Sequence, residues 1–229
     1  MHKQHTIQMT YKIRDGHDWT LWRSPAVENE STEMIAQIGR SFRLFKKTFS
    51  GLDSSLKNDG LTLGALPDIF NVQDQHKEDL EHLNTETDFS GYRFYNLFAL
   101  TSPSPLFWLL FKDIRTVVRT QLQTDEPLWM QCWFNYHEPH QVLKWHDHRF
   151  PYHGYVSIDP KDSTTLFKEG DIKYEIKNEI GNIYFGKGWD RMHMVRVDSP
   201  YEGKRITLGF DIICQPDVPD DQFSIIPLL

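Results

Sequence analysis

Residues 7 to 13 alternate between apolar and polar side chains, with Ile7, Met9, Tyr11 and Ile13 set against Gln8, Thr10 and Lys12. That period of two predicts a strand with one buried face, placed at an edge or added to a larger sheet. From about Ser31 the step lengthens. Met34, Ile38, Phe42, Phe45 and Phe49 recur every three or four residues, with Arg40, Arg43, Lys46 and Lys47 between them. This is the stripe of an amphipathic helix with a solvated basic face, ended by Ser50-Gly51. Residues 52 to 100 are polar with scattered apolar positions, and contain a short helical candidate from Gln73 to Leu83 and an aromatic run, GYRFYNLFAL.

A second helix is better specified over 104 to 122. Ser104 is its cap, Pro105 its first residue, and Phe107, Leu110, Phe111, Ile114, Val117, Val118 and Leu122 its stripe. Such a stripe predicts a helix that buttresses a sheet. After Pro127 the pattern turns to strands: PLWMQCWFNYH, HGYVSID, TTLFK, DIKYEI, GNIYFG and RITLGFDIIC, punctuated by Gly, Pro, Asp and Asn. Short strands at this spacing predict a sandwich or barrel. The expected organisation is a single domain over 1-229, α+β but mainly β. Residues 1-126 form a mixed helical and strand buttress, 127-214 a β core and 215-229 a C-terminal tail.

Composition narrows the function. The chain has 229 residues, 14% of them aromatic, which is enough for a sizeable core. A formal charge of -7 without a dense Lys/Arg track argues against general nucleic-acid binding. The first residues lack the apolar core of a signal peptide, and PLFWLLF at 105 to 111 is too short to span a bilayer. A soluble, cytoplasmic protein without membrane attachment is expected. Cys132 and Cys214 both lie in apolar strand-like runs, so two reduced, buried thiols are expected.

The candidate chemistry lies in the histidines. His137, His140, His146, His148 and His153 crowd into seventeen residues of a chain with eleven histidines, and the next is His193. If KWHDH is extended, His146 and His148 share a face ~6.6 Å apart along the strand, and Asp147 points the other way. Two imidazoles so placed can converge on one metal ion. GNIYFGKGWDRMHMV supplies a strand, a turn and a returning strand that carries His193. Twelve residues later Arg205 opens RITLGF with Thr207 on its face, and a cation inside an apolar strand calls for an anion.

The order His-x-(Asp or a substitute), some forty residues, His, about ten residues, Arg-x-Ser/Thr resembles the iron(II)- and 2-oxoglutarate-dependent oxygenases on the double-stranded β-helix (jelly-roll, cupin-like) fold, over about 127 to 214. The upstream WFNYHEPHQVLKWHDH and the EIGNIYFGKGWDRMHMVRV segment are similar to the same family, in particular to its branch of bacterial and phage oxygenases with His-x-His. The resemblance implies that His146 and His193 are metal ligands, that Arg205 pairs with the remote carboxylate of 2-oxoglutarate, and that Thr207 and Asn135 assist in holding it. His148 occupies the place of the family's carboxylate. Three arrangements follow: His148 is the third ligand, Asp147 takes that position through a twist of the strand, or the third protein ligand is missing. Spacing favours His148. His137, His153 and Trp189 are pocket-lining candidates.

The activity so implied is oxidative decarboxylation of 2-oxoglutarate to succinate and CO2, coupled to hydroxylation of a small molecule or a protein side chain. A metal-binding cupin, whether an isomerase, another dioxygenase or a sugar-binding module, would also use His-x-His on a barrel strand. It would place Glu a few residues on, where this chain has Pro151, Tyr152 and His153. A non-catalytic interaction module on the same barrel is the remaining rival. Substrate and oligomeric state carry no sequence signal.

Overall fold

A computed structural model describes residues 9–49, 96–137, 139, 145–148, 150–214 and 224–228. The helical candidate at 73 to 83, His140 and most of the C-terminal tail lie outside them. The element order is β1 (Tyr11–Asp15), β2 (Trp19–Arg23), α1 (Pro25–Phe49), α2 (Leu97–Leu100), α3 (Pro105–Leu122), β3 (Trp129–His137), β4 (Tyr152–Asp159), β5 (Ser163–Glu169), β6 (Ile172–Lys177), β7 (Asn182–Lys187), β8 (Met192–Val197), β9 (Arg205–Ile213) and β10 (Ile226–Pro227).

Helix α3 follows its sequence pattern. Ser104 Oγ accepts from Phe107 N, Pro105 is the first helical residue, and Gln123 ends the helix in the left-handed region at φ 49°. Helix α1 begins earlier than its stripe. Ser24 Oγ accepts from Val27 N, Pro25 opens the helix, and the backbone breaks at Glu30 (φ -126°) just before the periodic segment starts. The period from Ser31 thus marks the second part of a kinked helix. Met34 and Ile38 are buried as expected.

The first strand departs from expectation. All of β1 is exposed and Met9 is 80% exposed, so the alternating apolar residues have no buried face. The reason lies in the cations between them. Lys12 Nζ lies 5.4 Å from the Trp22 ring and the Arg14 guanidinium 4.8 Å from Trp19, so it is the polar positions that cover core tryptophans with their stems and charge. Strand β2 escapes the periodicity reading because it is buried on both faces and reads as a short apolar run, WTLWR. Cys132 is buried in β3, whereas Cys214 is exposed, because it follows the last residue of β9 and leaves the ladder.

Two sheets organise the rest. Seven strands run in the order β1-β2-β7-β4-β9-β3-β10, and three in the order β6-β5-β8. The small sheet gains a further partner at an isolated bridge, where His146 and His193 exchange both backbone hydrogen bonds, at 3.0 and 2.8 Å. From β3 onward the chain alternates between the sheets: β3 large, residue 146 small, β4 large, β5 and β6 small, β7 large, β8 small, β9 large. All of these pairings are antiparallel. That winding is a double-stranded β-helix. Helices α1, α2 and α3 cover the outer face of the large sheet with Val27, Met34, Leu110, Ile114 and Val118 against Val156, Ile183, Phe185, Leu208 and Phe210. A second, smaller core of Trp19, Leu21, Tyr155, Phe167, Ile176 and Tyr184 joins the two sheets inside the barrel.

Candidate functional site

Strand β9 is buried at all nine positions, yet its two faces differ in chemistry. Ile206, Leu208, Phe210 and Ile212 enter the apolar core under the helices. Arg205, Thr207, Gly209 and Asp211 lie on the other face. Register extends that face across the sheet, because residues directly opposed in an antiparallel pair share a side. His137, Asn135 and Trp133 on β3 oppose Arg205, Thr207 and Gly209, while Ser157, Tyr155 and His153 on β4 oppose Thr207, Gly209 and Asp211. The barrel interior is therefore lined by polar and aromatic side chains at one register after another.

Four imidazoles gather at one end of this lining. Ring centres are 4.1 Å apart for His146 and His193, 5.5 Å for His146 and His148, and 5.2 Å for His148 and His193. One ring nitrogen from each of these three lies within 4.8 Å of the others. His153 stacks on His148 at 3.5 Å, with the planes 14° apart. Asp147 is exposed, as the period-two reading required.

Asp211 carries no sequence assignment, yet it belongs to this cluster. It is 1% exposed, and its Oδ1 lies 3.0 Å from Nδ1 of both His148 and His153. Burial alone would raise this carboxyl, but the neighbouring His148 and the hydrogen bonds from both histidines hold it well below the usual carboxylate range. The signal was present in the sequence. An aspartate in RITLGFDIIC, six residues after Arg205, is as anomalous in an apolar strand as the arginine itself. Trp133 closes the cluster, with ring centres 5.9 Å from His148 and 6.1 Å from His153. A Cβ at position 209 would stand 2.5 Å from that indole, so glycine there is what lets the ring lie across β9.

Two of the four, His193 and His153, are held neutral. Burial, and then the nearby His146, His153 and His148, push His193 well below its ordinary value. Burial and His148 bring His153 down to about 4 against the opposing pull of Asp211. Neutral imidazole is the form that binds metal. His148 also has an unmatched atom: its Nε2 is buried without a hydrogen-bond partner, while Nδ1 is engaged by Asp211. Such an atom fits an ion and is costly without one.

Arg205 lies at the start of β9, opposite His137, and is 1% exposed. Burial lowers its guanidinium to about 10, opposed by the charge of Tyr201 and a hydrogen bond to it. Its Nε has no partner, and among the described residues no carboxylate forms an ion pair with it. Asn135 accepts from Trp133 Nε1 at 3.1 Å and donates to Thr207 Oγ1 at 3.3 Å, so the two residues named beside Arg205 touch each other. Ser157 Oγ, opposite Thr207, is buried and unmatched. His137 is buried, and its carbonyl accepts from the Tyr201 hydroxyl. Trp189 is 50% exposed between β7 and β8.

No protein-family model matches the chain, and no curated protein matches it at a significant level. Among solved structures similar to it is HygX from Streptomyces hygroscopicus with iron bound, at 16% identity and a TM-score of 0.41 over 64% of this chain and 78% of that one. A prolyl-4-hydroxylase from Pseudomonas putida is similar at 12% identity and 0.39, over 49% and 69% of the two chains. The non-heme alpha ketoglutarate dependent carbocyclase SnoK from nogalamycin biosynthesis is similar at 12% and 0.41, over 67% and 79%. At such TM-scores the likeness assigns no activity. The fold rests on the strand order, and the site on its side chains. Among the described residues, no helix is long and apolar enough to cross a membrane.

Proposed function

We propose that this chain is a non-haem iron(II)- and 2-oxoglutarate-dependent oxygenase that hydroxylates a small molecule or a protein side chain. The observation that carries the reading is Arg205, a guanidinium sealed inside the barrel with an unmatched Nε and, among the described residues, no carboxylate paired to it, on a polar wall that leads to a cluster of histidines. A dicarboxylate with a metal-chelating end answers both features. One carboxylate satisfies Arg205 through a planar fork, with Thr207 and Ser157 beside it, and the other end reaches the histidines.

His146, His148 and His193 would hold the ion. Imidazole centres stand about 3.2 Å from an ion bound at ~2.1 Å, so spacings of 4.1 to 5.5 Å correspond to roughly 80 to 120° between ligands, as one coordination sphere requires. The 3.5 Å stack of His148 on His153 would need roughly 65° and suits packing instead. When bound, iron(II) and 2-oxoglutarate would activate dioxygen, the oxidant, for C–H hydroxylation, one oxygen atom going to the substrate and one to succinate, with CO2 released. The protein's part is to fix three imidazoles on β8 and on the segment bridged to it, hold the co-substrate's remote charge at Arg205, and exclude water with Trp133 and Phe167. No acid or base at the substrate carbon is needed. Arg205 also favours this reading over a cupin, whose metal chemistry gives no use for a buried arginine at that place.

The test uses the purified chain under anaerobic conditions. Iron(II) or Mn(II) and then 2-oxoglutarate should each raise the melting temperature by mass action, and a substrate screen run with iron(II) after dioxygen is admitted should read succinate release. In His193→Ala the metal-dependent shift should vanish. A retained shift would remove His193 from the ligand set, and a wild-type protein indifferent to metal and to 2-oxoglutarate would refute the assignment.

A further inference from the structure

We propose that Asp211 is a positioning residue for the metal centre: it supplies, through His148, the negative charge that a carboxylate at position 148 would have given directly. This rests on the oxygenase reading above. With three imidazoles the centre lacks an anionic protein ligand. Asp211 restores that anion one residue away, on a different strand and a different sheet from His146 and His193.

The geometry is specific. Asp211 Oδ1 receives Nδ1 of His148 at 3.0 Å, which fixes the tautomer with hydrogen on Nδ1 and turns Nε2 outward as the free donor atom. That Nε2 is the buried, unmatched atom of the ring. The same oxygen receives Nδ1 of His153, at 3.0 Å, and His153 lies flat against His148 at 3.5 Å. The carboxylate and the second imidazole therefore grip one face and one edge of the ligand, while Trp133 covers them from the side. A buried carboxylate is costly unless hydrogen-bonded, and here both donors are side chains of the site, so the placement of Asp211 is explained by the site alone. The other way to group these atoms, an ion held by His148, His153 and Asp211 themselves, meets the difficulty that ring centres 3.5 Å apart leave only roughly 65° between two imidazole ligands at ordinary bond lengths.

The test is a Co(II) titration, followed by visible absorption and calorimetry, of wild type, Asp211→Asn, His148→Asp and the double variant. Asp211→Asn should weaken Co(II) binding by roughly 10- to 100-fold and shift the ligand-field bands. In the His148→Asp background, where the carboxylate is on the ligand itself, the same change should cost less than about 3-fold, since the imidazole it oriented is gone. Equal losses in the two backgrounds, or wild-type affinity in Asp211→Asn, overturn the proposal while leaving the oxygenase reading intact. Failure of the wild type to bind Co(II) overturns both. Should Asp211→Asn not fold, nitrogen NMR of the Zn(II)-loaded wild type decides the matter: the proposal requires hydrogen on Nδ1 of His148 and metal on Nε2, and the reverse assignment overturns it.

Discussion

The two faces of the large sheet are made from the same strands and are about equally buried, but they do opposite things. On the helix side, β9 contributes Ile206, Leu208, Phe210 and Ile212, each packed against aliphatic or aromatic neighbours. On the barrel side, it contributes Arg205, Thr207 and Asp211, whose polar atoms are matched by site residues or left unmatched. One face therefore supplies stability, since apolar burial is favourable wherever it occurs. The other gives some of it up, since each desolvated polar atom costs free energy until its partner arrives. The alternation of a strand lets one nine-residue segment serve both ends. It also means that substitutions two residues apart should fail in one way, and neighbours in another.

The largest effect should come from the helix side. Phe210→Ala removes a ring stacked on Phe185 and seated against Gly154; a loss of about 3–5 kcal/mol in unfolding free energy is expected. Per folded molecule, metal and 2-oxoglutarate affinity should be unchanged, and an affinity change would erase the contrast between the faces. Next, Arg205→Met on the barrel side should leave the melting temperature equal to or above that of the wild type, because it removes a buried unpaired charge. The charge removed is one with no ion-pair partner among the described residues, its hydrogen bond to Tyr201 aside. The same change should weaken 2-oxoglutarate binding by roughly 100-fold, about 2.7 kcal/mol, with metal binding spared. Destabilisation without loss of affinity would move Arg205 to the structural side.

A smaller effect tests the helix layer itself. Asp113 on α3 accepts from Ser24, the residue that caps α1, and burial raises its carboxyl above the usual value despite that bond. A raised carboxylate favours the protonated form in the folded state, so its charged form is a cost that appears as pH rises from the unfolded value of 3.8 through the folded one. Asp113→Asn should accordingly raise the melting temperature by ~1–2 °C at pH 7, an advantage that shrinks as the pH is lowered through the raised folded value to 3.8. A constant difference across that window would show that the charge is not the cause. The smallest effect belongs to Asp147→Ala. That side chain is exposed between two candidate ligands, and stability should change by less than about 0.5 kcal/mol, with metal affinity unchanged. A lost metal response would bring Asp147 into the coordination sphere.

Local pattern made much of this legible. Ser104-Pro105 and the stripe behind it define α3, because capping and period are properties of neighbouring residues. The strands from β3 to β9 could be read for the same reason, and so could the placement of Asp147 away from His146 and His148. What escaped was set by partners distant in sequence. Strand β2 reads as a short apolar run because a helix layer covers one face and the small sheet the other. Strand β1 kept its alternation but lacks the buried face that Tyr11 and Ile13 were expected to form, because it is Lys12 and Arg14 that lie over the tryptophans. Cys214 lies one residue beyond the ladder, a boundary that pairing with β3 decides.

The site divides along the same line. The sequence by itself determined the chemical groups: a crowd of histidines, a distal histidine, and an arginine two residues before a threonine in an apolar strand. Period-two geometry added an expectation, that His146 and His148 share a face if KWHDH is extended. Only the tertiary structure brought His193 beside His146 through a two-bond bridge, sealed Arg205 in the barrel with no carboxylate paired to it among the described residues, and placed Asp211 against His148 and His153. Those facts depend on the winding of strands between two sheets. A residue's face follows from its immediate neighbours, but its opposite number follows from register across 40 to 70 residues of intervening chain, which no local period encodes.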